Sequence, residues 1–284
     1  MRVIKRERKG VEYFYLQHAV RENGNVRTIE HYLGREIPKD IEHRKAALLA
    51  EARTAVYHQF ETIRQNFQKE WKRYPKSAQE RELQEIAIAF TYNTNAIEGS
   101  TITLAETREI LEGEIAPRKS LKDIRETEAH ATVFLKMLKE KEKITSALLL
   151  RWHAMIFGET KTDLAGKFRD YGVRVGAYRA PDWQEVKQLM SDLGGFILKN
   201  NTMHIVELAG RAHYRFEKIH PFGDGNGRIG RLLMNHLLWY SGYPMLIIEK
   251  KKRKAYYHAL GKDEEGFVQY FLKTYLAAHR KQTK

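Results

Sequence analysis

The feature that most limits the fold is a run from about residue 40 to 160. Apolar residues recur there at helical spacing, and glycine and proline are scarce. A strand needs alternation with period two, so this run dictates packed helices instead. Helical patterning resumes at 182 and continues to the end, broken near Ser241-Gly242-Tyr243-Pro244. Two start signals are explicit. Thr103-Leu104-Ala105-Glu106 is a capping-box sequence after the break at Gly99-Ser100, and Asp182-Trp183-Gln184-Glu185 follows Pro181 in the same way.

Two stretches depart from this pattern. Residues 11 to 33 are rich in β-branched and aromatic residues around Asn23-Gly24, a dipeptide that tolerates the positive φ of a tight hairpin turn. Residues Tyr171 to Tyr178 alternate and contain glycine, which predicts a short hairpin between helices. The expected architecture is all-α with two small hairpins. It divides into an N-terminal β-hairpin appendage (1–38), a helical region (39–145) and a core (146–284) with a hairpin at 166–181.

Charge and cysteine content exclude several classes of function. The formal net charge is +14, which invites a polyanion partner, yet Lys and Arg are interleaved with Glu and Asp along Arg118 to Lys143. That interleaving reads as a solvated, ion-paired surface, so a nucleic-acid partner is not expected. The one dense patch, Lys250-Lys251-Lys252-Arg253-Lys254, reads as a solvated helix start. There is no cysteine and no His-x-x-x-His pair, which argues against disulfides and zinc. No run approaches the roughly 20 apolar residues of a membrane span, and no apolar stretch follows Met1-Arg2-Val3-Ile4-Lys5, so a cytoplasmic location without a membrane partner is expected. His153 and His213 read as packed or capping residues, and Trp152, Trp183 and Trp239 as core.

One segment carries chemistry: His220-Pro221-Phe222-Gly223-Asp224-Gly225-Asn226-Gly227-Arg228-Ile229-Gly230-Arg231. Gly223, Gly225 and Gly227 let successive N–H groups converge on an anion. A helix starting near Asn226 would turn its free N–H groups and positive dipole end to the same place. Arg228 and Arg231, three residues apart, share a helical face and can reach one polyphosphate. Asp224 is a hard oxygen donor suited to magnesium, and His220 can accept a proton near neutral pH. Together these groups form a phosphoryl-transfer kit.

The stretch resembles the Fic family motif His-Pro-Phe-x-Asp/Glu-Gly-Asn-Gly-Arg-x-x-Arg at every specified position, and the similarity runs over roughly residues 90 to 275. The resemblance implies the helical Fic fold and transfer of AMP from ATP to a protein hydroxyl. By the same resemblance His220 is the base and Asp224 holds Mg2+ on the α- and β-phosphates. Gly223, Gly225, Asn226, Gly227, Arg228, Gly230 and Arg231 border ATP, with Arg231 meeting the γ-phosphate. The hairpin becomes a flap, on which Val173, Arg174, Val175 and Gly176 border the nucleotide and a protein substrate docks. Tyr256 and Tyr257 fall where relatives place two aromatics near adenine. A departure follows them, because Asp263-Glu264-Glu265-Gly266 stands where many relatives have an asparagine. Homodimers are common among relatives.

Thr94-Asn95-Ala96-Ile97-Glu98-Gly99 resembles a second signature of the family, Ser/Thr-x-x-x-Glu-Gly/Asn, from an inhibitory helix. It implies that Glu98 pairs with Arg231 and takes the arginine the γ-phosphate needs, with Thr94 and Gly99 framing the contact. In some relatives that glutamate is linked to removal of AMP, so deAMPylation, or use of another phosphate-containing donor, is the alternative reading. Auto-AMPylation falls within the same chemistry. A reading of another class is a non-catalytic nucleotide-binding or basic nucleic-acid-binding protein.

Gly225 to Gly230 also spells Gly-x-Gly-x-x-Gly, with Glu249 about 20 residues on. A dinucleotide fold needs a buried strand leading into the first glycine, and His213 to Ile219 is too polar for one. No Gly-x-x-x-x-Gly-Lys-Ser/Thr is present to support a P-loop.

Overall fold

The computed structural model describes residues 1–22, 25–113, 117–200 and 203–283, in two compact units, Met1–Thr62 and Ile63–Lys284.

The first unit is a three-stranded antiparallel sheet, β1 (Arg2–Arg8), β2 (Val11–Glu22) and β3 (Asn25–Gly34), ordered β1-β2-β3 and followed by the start of helix α1 (Ile41–Arg73). The expected Asn23-Gly24 turn lies outside the described residues. The expected pair β2–β3 is present, but β1 is an addition that the sequence reading lacked. Its charged residues hide the alternation: Val3 pairs opposite Leu16 on the apolar face, while Arg6 reaches Glu30 on the other. Edge strands tolerate such charge because it discourages pairing with other chains. Leu16, Ile29 and Leu33 form a small core with Leu48 and Ala52 of α1.

Among the described residues, the second unit holds the rest of α1 and nine further α-helices. These are α2 (Lys76–Ile97), α3 (Leu104–Glu112), α4 (Leu121–Lys139), α5 (Ser146–Phe157), α6 (Val186–Lys199), α7 (Ile205–Ile219), α8 (Asn226–Tyr240), α9 (Arg253–Leu260) and α10 (Glu264–Ala278). A two-stranded hairpin, β4 (Arg174–Val175) with β5 (Tyr178–Arg179), lies between α5 and α6. Eleven of the fifteen α8 residues are buried, so α8 is the central helix of this unit. Its Ile229, Leu232 and Leu233 share one core with Phe216 of α7, Trp152 and Ile156 of α5, and Phe134 of α4. Each such fully buried apolar side chain contributes about 2 kcal/mol.

The two predicted helix starts fare differently. Thr103 forms the full capping box: its hydroxyl accepts from Glu106 N–H, and the Glu106 carboxylate accepts from Thr103 N–H. Asp182 does stand before a helix start, but its carboxylate pairs with Arg179 and caps nothing, and a single 3-10 turn (Trp183–Glu185) precedes α6. Trp183, expected in the core, is 43% exposed on that turn, whereas Trp152 is buried. Among the described residues no helix is long and apolar enough to cross a membrane.

Candidate active site

Helix α7 ends at Ile219, and His220 caps it in the left-handed conformation, φ 50° and ψ 61°, with its N–H bonded to Phe216 O. A side chain with a Cβ is strained there by roughly 1–3 kcal/mol, so the surroundings must hold it. They do. The Asn226 side chain closes the loop by donating to Phe222 O at 2.9 Å and accepting from Phe222 N–H at 2.9 Å. Beneath the loop, His153 stacks on Phe222 with ring centroids 3.9 Å apart. Its Nδ1 accepts from Gly166 N–H, so Nε2 is the nitrogen that donates to Asp224 O, at 3.0 Å. Burial, the largest influence, lowers its pKa to about 4, so it is a neutral structural histidine.

The His220 Nδ1 lies 3.3 Å from the Glu217 carbonyl. A carbonyl can only accept, so Nδ1 carries the proton and Nε2 keeps a free lone pair. Burial foremost, with the Arg169 charge adding, holds the His220 pKa below the usual imidazole value; the imidazole is therefore neutral at neutral pH.

Gly225, at φ 78°, sits just before α8, and no side chain caps this helix. Its first-turn N–H groups and positive end are thus open to an anion. A Cβ on Gly227 would lie 2.1 Å from Glu98 Oε1, so only glycine permits that approach. The Asp224 carboxylate is half-exposed and accepts from Lys161 Nζ at 2.9 Å. Burial raises its proton affinity, but the Lys161 hydrogen bond and the charges of Lys161 and Arg228 outweigh it, leaving its pKa below the ordinary carboxylate value.

The two arginines are held differently. Arg228 is buried, bonds to Glu126 of α4 and lies over the Phe157 ring. Glu126 also accepts from Lys161 at 2.9 Å and from the Thr160 hydroxyl at 2.9 Å. Arg231 is 1% exposed and bonds instead to the end of α2. Its Nε donates to the Thr94 hydroxyl, and its Nη2 donates to Thr94 O at 3.1 Å and Glu98 Oε1 at 2.7 Å. Glu98 is the C-cap of α2, and Gly99 beyond it takes φ 100°. A second carboxyl, Glu217, is buried nearby. Burial pushes its pKa up to about 8, with the Glu98 charge adding and Arg231 opposing, so at neutral pH it is uncharged. Glu98, not Glu217, is the carboxylate that hydrogen-bonds to Arg231.

A cleft of about 330 Å³ opens beside His220, lined by Val175 and Gly176 of the hairpin, Glu217, Lys218, Tyr257 and Leu260. Val173 is half-buried and Arg174 exposed. The two tyrosines separate: Tyr257 faces the cleft, whereas Tyr256 is buried and its hydroxyl meets His213 Nε2 at 2.8 Å. The acidic 263–265 stretch has a structural task. Asp263 caps α10 through Gly266 N–H, while Glu264 and Glu265 pair with Arg211 of α7.

The sequence reading missed Glu126, Lys161, Glu217 and Arg169. Glu126 had a signal, since it is a carboxylate on the otherwise buried face of α4, beside Ile124, Thr127 and His130. Arg169 had none. It is 4% exposed, and its guanidinium donates to four carbonyls: His220 O (2.8 Å), Ile219 O (3.3 Å), Tyr171 O (2.9 Å) and Pro181 O (2.7 Å).

Comparison with known proteins gives this arrangement a context. A family model described as Fic/DOC matches residues 143–238. A protein adenylyltransferase Fic from Culex quinquefasciatus is 37% identical over 196 residues, which are 66% of this chain and 39% of that protein. The chain thus spans about two fifths of the length of this curated relative. Among solved structures, a Fic-domain-containing signalling protein from Bacteroides thetaiotaomicron superposes with a TM-score of 0.70 at 26% identity, covering 80% of this chain and 97% of that one. Fic-1 from C. elegans gives a TM-score of 0.70 at 27% identity, covering 85% and 75%.

Proposed function

We propose, from the match of residues 143–238 to the Fic/DOC family model, that the chain transfers AMP from ATP to a protein hydroxyl under restraint by Glu98. The observation that carries the reading is His220. Its Nε2 lone pair is free, in a cleft bordered by the flap hairpin and beside the uncapped, glycine-built start of α8.

The acceptor hydroxyl gives its proton to His220 Nε2 as its oxygen attacks the α-phosphorus. The bond from that phosphorus to the pyrophosphate oxygen breaks, and pyrophosphate leaves. The α8 N–H groups and Gly223 to Gly227 take the phosphates, and Arg231 the outermost one. Val173 to Gly176 and Tyr257 border the nucleoside, and the exposed flap strand aligns the acceptor segment by main-chain pairing.

Asp224 fits a magnesium ligand: it is a half-exposed oxygen donor kept ionised, at the mouth of the phosphate site. Among the described residues no group of three acidic or histidine side chains could hold an ion alone, so its other ligands would be phosphates and water. Such an ion supplies neutralisation of the phosphate charge. With Glu98 on Arg231, the outermost phosphate loses its partner and the α-phosphate sits out of line, where about 1 Å of misplacement costs roughly 10²-fold.

ATP labelled at either the α- or the γ-phosphate tests the reaction. The protein, or a substrate mixed with it, should retain label from the α-position only, and His220→Ala should retain none. Retention from the γ-position would make the protein a kinase, and release of AMP from modified protein would shift the reading to removal.

A further inference from the structure

Arg169 lies between the loop that carries His220 and the hairpin that borders the cleft, and it holds both. Two of its acceptors, Ile219 O and His220 O, belong to the left-handed helix end; the other two, Tyr171 O and Pro181 O, bracket the hairpin strands at 174–179. Its own N–H donates to Pro221 O at 2.9 Å, so side chain and backbone together grip three successive carbonyls, 219 to 221.

Among the described residues no carboxylate bonds to this guanidinium; its four acceptors are all main-chain oxygens. A residue recruited for charge would face an acid. One recruited for geometry faces carbonyls in fixed directions, which the planar five-donor fork of arginine matches and the single ammonium of lysine does not. Its four acceptors are the two carbonyls at the left-handed end of α7 and the two that flank the hairpin.

We propose that Arg169 is a positioning residue that couples the flap to the loop bearing the base, so that acceptor segment and imidazole are presented at a set spacing. This rests on the AMP-transfer reading for its consequence, while the coupling itself can be measured without turnover.

The test uses Arg169→Lys, and Arg169→Gln as a second variant that keeps two amide donors, each in the wild-type and the Glu98→Gly chain. Hydrogen exchange should show the amides of 173–180 and 220–225 losing protection together, on the order of tenfold, with α2 and α10 unchanged. In the Glu98→Gly chain, kcat should fall about 10²-fold while the Kd for ATP stays within about threefold, and guanidinium ion should restore part of the rate. Loss of protection in one segment alone, or throughout the unit, overturns the coupling. So does a kcat within twofold of the parent, or a fall in ATP affinity that matches the fall in rate. If Glu98→Gly itself transfers no AMP, the functional reading fails and the exchange measurement still decides the coupling.

Discussion

Arg228 and Arg231 stand three residues apart on α8, and their carboxylate partners come from different helices, α4 and α2. On the α4 side the contact is sealed: the side chains of Arg228, Glu126 and Lys161 are 7%, 8% and 10% exposed. On the α2 side Arg231 is just as buried, but the Glu98 side chain is 30% exposed and sits at the last position before the chain turns at Gly99. A sealed ion pair is part of the architecture, because separating it leaves a charge without water. On the proposed reading, the partly exposed carboxylate at the end of α2 gives way to a phosphate while the sealed pair stays in place.

The largest effect should come from breaking the sealed side. Glu126→Ala leaves Arg228 and Lys161 to share only Asp224, and should lower unfolding free energy by about 3–5 kcal/mol in a denaturant titration. Glu98→Ala should cost less, because the Glu98 side chain is partly solvent-reached and Arg231 keeps its two hydrogen bonds to Thr94. Equal costs would break the comparison.

A smaller effect sharpens the open side. Thr94→Val removes the hydroxyl that accepts from Arg231 Nε, which loosens the arginine from α2. AMP transfer should rise severalfold, with about 1 kcal/mol lost from stability. A rate unchanged or lowered would mean that Thr94 does not support the restraint.

The smallest effect is a shift in pH dependence. The His220 pKa lies below its ordinary 6.5, and the base acts in its neutral form, so lowering the pH removes activity only as it passes through that depressed value. The acid limb of kcat/KM should fall below pH 6.5, and a limb above it would contradict the burial of the imidazole.

The fold was legible where local chemistry decides it. The helical run, the Thr103 capping box and the alternation at 171–178 all depend on residues near one another in sequence. The loop at 220–231 was legible for the same reason, since its glycines, acid and arginines are packed into twelve positions. Strand β1 was not, because an edge strand with one apolar residue facing the sheet core shows little alternation. Asp182 misled because the sequence could not show that Arg179 takes its carboxylate. Glu126, Lys161 and Arg169 reach the loop from 102, 63 and 51 positions away in the case of their contacts to Arg228, Asp224 and His220, and no spacing rule spans such gaps. The same holds for Glu264 and Glu265, which tie α10 to Arg211 of α7 across more than 50 positions.

The central claim is that Arg231 is shared between Glu98 and the outermost phosphate of ATP. Intact mass spectrometry over time, on wild-type and Glu98→Gly protein incubated with ATP and magnesium, tests it most directly. The account predicts added AMP accumulating about 10²-fold faster in Glu98→Gly, with the gain abolished when Arg231→Ala is added to it. Equal rates for wild-type and Glu98→Gly, or a gain that survives Arg231→Ala, would contradict it.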